Sequence, residues 1–389
     1  MPLFHHKNTI LVTCAGGIAV HLERELITMG FPVIARHTFG VETEGTLADT
    51  MLLNLSIRTG QRVLYLIADI KADTPQDLYR AVYRLPWEEY IDASGYVSIT
   101  SVVDTPSVNN SQFANLKCKD ALADRFYATK GKRPYSGPAR DRTVLFLYWK
   151  GRRCSLYVDT SGESISRRGY RTSAVEAPLQ ESLGAALIYE SLWDRQEHFI
   201  NPMCGSGTLA IEAALMGLQR APGLTRTNFG FMHIKGFERQ AWRELCSKVW
   251  KQSLNNIEGR IIASDIDKKA VQAARENAAR AGVETHIEFI TCDFRDTPIP
   301  EGKGIVMMNP EYGKRLGNMD KLRALYPEIG NYLKRHCQGY RACIFTGNLE
   351  LAKQIGLKSK KRTSLFNGPI ECRLLEYELY AGSKRKSLE

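Results

Sequence analysis

The chain has 389 residues, of which 43% are hydrophobic and 24% charged, an ordinary balance for soluble globular protein and enough for two or three domains with their own cores. Nine scattered cysteines, never in a Cys-x-x-Cys pair, exclude a disulfide framework or a cysteine zinc site. The absence of an 18-residue apolar run or a signal-peptide pattern predicts a soluble, cytoplasmic protein without a membrane span. The net charge of +11 suggests a polyanionic partner, because lysine and arginine release counterions condensed on phosphates, although a generally basic surface gives the same number.

His5 and His6 open the chain and read as a loose terminus rather than a metal pair. A β-branched run at Thr9–Thr13 predicts a strand, and the spacing of Ile18, Leu22, Leu26 and Met29 predicts a helix. Strands follow at Val33–Ala35 and Phe39–Thr43, a helix at Leu47–Ile57 and a strand at Val63–Ile70. This βαββαβ order suits a small ferredoxin-like unit. A second α+β segment then begins. Leu78, Val82 and Leu85 mark a helix, and Tyr96–Val103 a strand. Phe113, Leu116, Ala121, Leu122 and Phe126 are read as one apolar helix face. Strands at Val144–Trp149 and Ser155–Val158 bracket a hairpin turn at Lys150–Arg153.

The clearest charge asymmetry lies between Arg125 and Arg153. It holds Arg125, Lys130, Lys132, Arg133, Arg140, Arg142, Lys150, Arg152 and Arg153 against Asp141 alone, nine minus one or +8. Such a stretch is the footprint of phosphate binding, with Tyr127 and Tyr135 placed to stack on bases; a solvated basic loop is the alternative.

A boundary falls near Ser161–Tyr170, where glycine and serine break the pattern. Beyond it, buried strands alternate with amphipathic helices, as in a doubly wound sheet. Phe199-Ile200-Asn201 ends a strand and runs into Pro202-Met203-Cys204-Gly205-Ser206-Gly207-Thr208, after which a helix starts. Glycines let backbone approach a ligand closely, and the helix amides face it. The next strand, Arg260–Ser264, ends in Asp265, an acceptor for vicinal ribose hydroxyls. Asp265 comes far later than the roughly 20 residues expected of a dinucleotide fold, which disfavours NAD. The surplus, Arg220–Asn256, reads as an inserted loop and helix. Lys268–Ala281 is a helix and His286–Thr291 a strand, followed by Asp293 as an acceptor for an adenine amino group and Phe294 as a packing partner. Either acid alone is as well explained as a helix cap. Both together favour a nucleoside-shaped ligand.

The fourth strand, Gly304–Met308, ends in Asn309-Pro310-Glu311-Tyr312-Gly313, facing the same crevice as the glycine turn. The Asn309 amide oxygen and the Pro310 carbonyl can accept both N–H groups of an exocyclic amine, and Tyr312 offers a stacking surface. Asn309-Pro310-Glu311-Tyr312 resembles the Asn-Pro-Pro-Tyr tetrad of amino-methyltransferases, and Met203–Leu209 their cofactor loop. Arg168-Gly169-Tyr170-Arg171, Ala177-Pro178-Leu179, Glu181-Ser182-Leu183, Arg220–Leu224 and Leu365-Phe366-Asn367-Gly368 also match. Asn110–Phe113 with Lys117 and Lys119-Asp120-Ala121 resembles the RNA-binding THUMP domain. Together these motifs span most of the chain and resemble the bacterial 23S ribosomal RNA guanine-N2 methyltransferases (RlmL-like), in a shorter form without a second fused methylase.

The resemblance implies an α/β fold: a Rossmann-like class I methyltransferase with a mostly parallel seven-stranded sheet over 166–389. It is preceded by a ferredoxin-like subdomain over 1–70 and a THUMP domain over 71–165. It implies S-adenosylmethionine as methyl donor, with ribosomal RNA or a large-subunit precursor as partner, no metal and a monomer. Cofactor contacts are expected from Asn201, Pro202, Met203, Cys204, Gly205, Ser206, Gly207, Thr208, Asp265, Ile266, Asp293, Phe294 and Asn309. Asn309, Pro310 and Tyr312 are the expected catalytic residues. RNA contacts are expected from Lys117, Lys130, Lys132, Arg133, Arg140 and Arg142, with Lys358, Lys360, Lys361 and Arg362 either extending the basic track or forming a solvated turn. Lys384, Arg385 and Lys386 read as a loose tail. Two positions depart from the family pattern: Asn201 replaces an aspartate, and Glu311 replaces a proline, its side chain expected to turn away from the base. Cys204, inside the cofactor loop, is not expected to act as a nucleophile. Competing readings are a transfer-RNA guanine-N2 methyltransferase, an adenine-N6 methyltransferase, and a non-catalytic RNA-binding assembly factor.

Overall fold

The computed structural model describes residues 3–108, 110–171, 179–312 and 319–380. Ala177, Pro178, Gly313 and the basic Lys384–Lys386 run lie outside the described residues. The chain packs into two compact units. One comprises Met1–Cys14, Leu22–Ser166 and Pro222–Trp250; the other comprises Ala15–His21, Arg167–Ala221 and Lys251–Glu389.

The first unit is built on β1 (Lys7–Cys14), α1 (Ala19–Thr28, shared between the units), β2 (Val33–His37), β3 (Gly40–Thr46), α2 (Asp49–Ser56), β4 (Gly60–Lys71), α3 (Pro75–Arg84), β5 (Tyr96–Asp104), α4 (Ser111–Lys130), β6 (Tyr135–Ser136), β7 (Thr143–Lys150) and β8 (Arg153–Asp159). The βαββαβ order holds. All eight strands join one sheet in the order β2-β3-β1-β4-β8-β7-β5-β6, because β4 pairs antiparallel with β8. Local chemistry sets the helix ends. Thr74 and Asp77 cap α3 reciprocally with Pro75 behind the cap, and Asn110 caps α4, which stops at Gly131 in a left-handed conformation (φ 67°).

Two expectations about this unit are corrected. The buried face of α4 is Ala114, Cys118, Ala121, Leu122 and Phe126, a consistent i, i+4, i+7, i+8 stripe. Phe113 and Leu116 lie off that stripe and are 43% and 52% exposed. The start of the chain is held rather than loose, since the Tyr65 hydroxyl donates to the His6 carbonyl (2.7 Å) and lies 3.2 Å from His6 Nδ1. No group of metal-ligating side chains occurs among the described residues, and none of their helices is long and apolar enough to cross a membrane.

The inserted stretch after the glycine loop forms α7 (Arg239–Trp250) preceded by two short 3-10 turns, and belongs to the first unit. The Phe231 N–H donates to the Thr160 carbonyl (2.9 Å), and Phe229, Phe231 and Trp242 cluster with ring centroids 5.0–5.5 Å apart. The buried Phe229 and Phe231, with the half-buried Trp242, supply apolar area that anchors the excursion.

The second unit comprises α5 (Glu181–Glu190), β9 (His198–Pro202), α6 (Thr208–Gly217), β10 (Ile261–Asp265), α8 (Lys268–Arg280), β11 (Ile287–Thr291), β12 (Gly304–Met308), α9 (Met319–His336), β13 (Arg341–Thr346), α10 (Leu349–Lys353), β14 (Lys361–Asn367) and β15 (Ile370–Glu378). Its seven strands run β11-β10-β9-β12-β13-β15-β14, parallel except for β15, which is antiparallel to both neighbours. The β12 strand is buried at every residue, without alternation, as a strand covered on both faces requires. Strand order reverses between β9 and β12. In open α/β sheets ligands bind at the carboxyl ends of the strands at such a switch point, so topology alone directs attention to Asn201–Thr208 and Asn309–Tyr312.

Ala15–His21 is stitched into this second unit by a partly buried ionic knot. Glu190, at the end of α5, accepts from His21 Nε2 (2.8 Å), Thr363 Oγ1 (2.7 Å) and Lys361 Nζ. The His21 hydrogen bond first, then Lys361 and Thr363, draw the Glu190 carboxyl down to about 2. A depressed carboxyl stabilises the fold above its unfolded value and loses that contribution as pH falls toward the folded one. We therefore expect Glu190→Gln to be less stable than the parent by about 3 kcal/mol at pH 7, with the gap narrowing by about 2 kcal/mol at pH 3. Urea unfolding of both proteins across that range checks it; a gap independent of pH would show that Glu190 stabilises by packing alone.

Candidate active site

The glycine loop begins where β9 ends. Asn201 is 1% exposed and its Nδ2 donates to the Met307 carbonyl on β12 (2.9 Å). An aspartate cannot make that donor contact, so the amide fits a position where the resembled family carries an acid. Its Oδ1 is buried without a hydrogen-bond partner. The chain then turns through Met203 (φ 56°), Gly205 (φ 54°) and Gly207 (φ 83°). A left-handed non-glycine such as Met203 is a strained conformation of the kind that concentrates at ligand sites. A Cβ at Gly205 would meet nothing within 4 Å, so the loop is open on that side. One at Gly207 would lie 2.8 Å from Ala274 Cβ, so glycine there lets α6 approach α8.

Side chains from neighbouring elements hold the loop. Asp265 Oδ2 accepts the Gly205 N–H (2.9 Å), and its Oδ1 accepts the Asp267 N–H (3.0 Å). The Cys204 N–H donates to the Ser264 carbonyl (2.9 Å), and Asn277 Nδ2, from α8, donates to the Ser206 carbonyl (3.1 Å). Ile266, beside Asp265, is 71% exposed. Burial, then the nearby Asp265, pushes the Cys204 thiol far above its ordinary range, so it is a poor nucleophile.

Asp293 and Phe294 have structural partners already. Arg295 donates to the Asp293 carboxylate through Nε (2.8 Å) and a terminal nitrogen (2.9 Å), and this contact holds the carboxyl below its ordinary value. Asp293 also caps the following 3-10 turn, and Phe294 packs edge-on to Tyr332 in the core. The cap that competes with a ligand role at this position is thus present.

At the tip of β12, Asn309 Oδ1 is buried and has no hydrogen-bond partner. The residues after it are firmly held. The Tyr326 hydroxyl, from α9, donates to the Glu311 carbonyl (3.1 Å), while Glu311 itself is exposed. Asn348 Nδ2 donates to the Tyr312 carbonyl (3.4 Å) and Asn367 Nδ2 to the Tyr312 hydroxyl (2.9 Å). The Tyr312 ring lies against Gly347, where a Cβ would sit 3.0 Å from Cδ2 and Cε2. Burial pushes the Tyr326 hydroxyl up to about 12, so it remains a proton donor at ordinary pH. Tyr326, Asn348 and Asn277 carried no sequence signal, and Asn367 figured only as part of a matching motif.

Below α6 lies a buried polar cluster. Arg168 (1% exposed) faces Glu212 (0%) with Nε 3.5 Å from Oε1, and the Tyr170 hydroxyl donates to the same oxygen (3.2 Å). Arg171 donates to Thr208 Oγ1 (2.7 Å) and the Leu179 carbonyl (2.8 Å), and stands 3.7 Å from Glu181. The Arg-Gly-Tyr-Arg motif therefore braces the helix that follows the glycine loop.

In the first unit the expected basic stretch is much less positive than its sequence sum. Arg125 pairs with Glu88, Arg133 with Asp124, Arg152 with Asp73 and Arg153 with Asp69; none of these acids lies within the stretch. Lys130, Lys132 and Arg142 are exposed, Lys117 and Arg140 partly so. Tyr127, Gly131, Lys132 and Arg133 line an open recess of about 530 Å³, with the Arg133 guanidinium 5.3 Å from the Tyr127 ring centroid. Lys117 Nζ lies 5.7 Å from the Phe113 ring. Near the end of the second unit, Lys360 pairs with Glu378 and Lys361 with Glu190, which reduces the basic turn there.

Three family models match successive parts of the chain: an RlmL ferredoxin-like domain over 9–64, a THUMP domain over 72–159, and an RMKL-like methyltransferase domain over 168–376. The chain is 38% identical over 377 residues to the ribosomal RNA large subunit methyltransferase K/L of Syntrophotalea carbinolica, covering 94% of this chain and 53% of that protein. The chain thus spans about half the length of the first curated relatives it matches. It is 33% identical over 368 residues to slr0064 of Synechocystis, a protein named as an RNA methyltransferase, covering 95% of this chain and 96% of that one. Among solved structures it is similar to SMU.472, described as a methyltransferase and complexed with SAH, at a TM-score of 0.87 and 25% identity over 97% of this chain and 99% of that one.

Proposed function

Since the chain belongs to the RMKL-like methyltransferase family, we propose that it transfers a methyl group from S-adenosylmethionine to the N2 amino group of a guanine in 23S ribosomal RNA. The observation that carries this reading is the Asn309 amide oxygen, buried and without a partner at the tip of β12. A buried acceptor left unpaired costs about 1–3 kcal/mol, an expense that makes sense if a ligand N–H completes it.

The residues present fit a sulfonium nucleoside. Asp265 has acceptor capacity left beyond its two backbone N–H bonds and suits vicinal ribose hydroxyls. Ile266 offers an exposed apolar surface beside it for a purine, and the loop is open at Gly205. Asn201 Oδ1 is a second unpaired buried acceptor, suited to an ammonium group. Pro202, Met203, Cys204, Ser206, Gly207 and Thr208 complete the loop around that ligand, with Asp293 and Phe294 at the third strand end. S-adenosylmethionine supplies an activated methyl group when bound, so the protein has to desolvate and align rather than provide a strong base. Alignment of this kind is worth about 7–11 kcal/mol of barrier.

Asn309 Oδ1 and the Pro310 carbonyl accept the two N–H groups of the base, which turns the nitrogen lone pair toward the cleft. Tyr312 stacks on the base, and a proton leaves to water after transfer. A stacked guanine cannot reach such a crevice, so the target is unpaired or flipped out at a cost of a few kcal/mol. The THUMP part (71–165), which follows the ferredoxin-like part (1–70), grips RNA through Lys117, Lys130, Lys132, Arg133, Arg140 and Arg142, while 166–389 does the chemistry.

The test is transfer of labelled methyl to total RNA from cells lacking the protein, followed by digestion to nucleosides. N2-methylguanosine mapping to 23S RNA is expected. The same product in transfer RNA would move the substrate, N6-methyladenosine would move the base, and cofactor binding without transfer would leave an RNA-binding protein that has kept the fold.

A further inference from the structure

The carbonyls of Glu311 and Tyr312 each accept a bond from a side chain that the sequence places elsewhere, and those side chains are themselves linked. Tyr326 has one hydroxyl proton. Given to the Glu311 carbonyl (3.1 Å), it leaves the Tyr326 oxygen to accept from Thr346 Oγ1, 2.8 Å away. The Thr346 oxygen in turn accepts the Asn348 N–H (3.1 Å). Asn348 then reaches back through Nδ2 to the Tyr312 carbonyl, while its Oδ1 accepts the Leu351 N–H (3.1 Å) and so fixes the start of α10. Tyr326 and Thr346 are both 0% exposed. The chain of bonds runs from the tip of β13 through α9 to the loop and returns beside β13; its central Thr346–Tyr326 link is buried, and the links to the loop are partly buried and oriented by their neighbours.

We propose that Tyr326 is a positioning residue for methyl transfer: through the Thr346–Tyr326–Glu311 relay it sets the peptide that joins Glu311 to Tyr312, and so limits the directions open to the Pro310 carbonyl and fixes the seat of Tyr312. The inference rests on the reading that Asn309 and Pro310 hold the base amino group. It adds what holds the loop itself. Only two backbone rotations, φ and ψ of Glu311, separate the plane of the Pro310 carbonyl from that of the Glu311 carbonyl. The Pro310 carbonyl carbon is bonded to the Glu311 nitrogen, and a Glu311 carbonyl pinned from below restricts the rotations that would turn the Pro310 oxygen out of line. With Asn367 on the Tyr312 hydroxyl and Gly347 against one side of the ring, the loop is set before a base arrives. A misplacement of about 1 Å in such a site costs on the order of a hundredfold in rate.

The test is Tyr326→Phe, which keeps the ring and removes the one proton that reaches the loop. At a temperature well below its unfolding midpoint, kcat for transfer to RNA is expected to fall at least tenfold, with the RNA KM and the S-adenosylmethionine Kd within about twofold of the parent. Thr346→Val should give a smaller loss in the same parameter. The double variant should lose little more than Tyr326→Phe alone, because both act through one relay, and Thr346→Ser should restore the parent rate. A Tyr326→Phe enzyme with kcat within twofold of the parent overturns the proposal, as does a loss that appears only in Kd or disappears when the variant is restabilised by cooling. Asn309→Ala run alongside separates the two readings. If it retains transfer, the assignment of the base-holding loop fails whatever Tyr326 does; if it loses transfer while Tyr326→Phe does not, only the relay fails.

Discussion

Asn309→Ala should abolish most methyl transfer, by at least about a hundredfold in kcat/KM, while leaving S-adenosylmethionine affinity within about fivefold. The size follows from removal of one of the two acceptors proposed to orient the nucleophile, comparable to the 10²–10³ lost when one preorganised hydrogen-bonding group is deleted from an active site. The stability outcome is the sharper part of the expectation. Oδ1 of Asn309 is buried without a partner, so its removal deletes a desolvation penalty rather than a bond. The variant should melt at the same temperature as the parent or above it. Inactivity together with unchanged or raised stability marks a side chain kept for chemistry. Transfer kinetics and a thermal melt on the same preparation test both halves, and a variant that is destabilised yet fully active would reverse the assignment.

Glu212→Ala should do the opposite, damaging the fold first. Glu212 is wholly buried and faces Arg168 and the Tyr170 hydroxyl. Its loss leaves a guanidinium in the interior short of its carboxylate, which typically costs about 3–5 kcal/mol. In a unit of this size that corresponds to about 10 °C in melting temperature. Burial, then the carboxylates of Glu212 and Glu181, hold the Tyr170 hydroxyl far above its ordinary range, so tyrosine cannot supply the missing negative charge. The double variant Arg168→Met/Glu212→Leu should recover a substantial part of the loss, because a buried pair replaced as a whole is often nearly neutral. Calorimetry on the two proteins decides it: a single variant within 2 °C of the parent would show that the cluster is dispensable to stability.

What the sequence made legible was whatever is local. The Gly205–Gly207 turn, the acid closing the next strand and the Asn309–Tyr312 tetrad are each contiguous, and the alternation of buried strands with helices placed them on one sheet edge. The relay could not be read that way. Tyr326, Thr346, Asn348 and Asn367 lie 14 to 55 residues beyond Tyr312 and meet it only because α9, the β13 tip and the β14–β15 hairpin fold back to it. The departure at Asn201 looked like a lost charge in the sequence; the Met307 carbonyl opposite it explains the amide. The basic stretch erred in the other direction. A sum over contiguous residues counted +8, but four of its arginines meet acids from α3–β4 and neighbouring segments of the first unit. Charge is a property of surfaces, and sequence windows sample only one edge of them. The α4 face was misjudged because Phe113 and Leu116 share a spacing with the buried stripe while standing one position out of phase.

The assignment of Ala15–His21 to one unit and Pro222–Trp250 to the other means that the polypeptide changes allegiance five times between its ends. A gene cut at the seam near Ser166 would therefore give two incomplete products. The later half would lack the strip bearing His21 and keep an aromatic excursion with nothing to bury it, and the earlier half would carry the reverse defects. Exchanging one half for another would therefore require a replacement that brings a matching excursion and accepts the same strip.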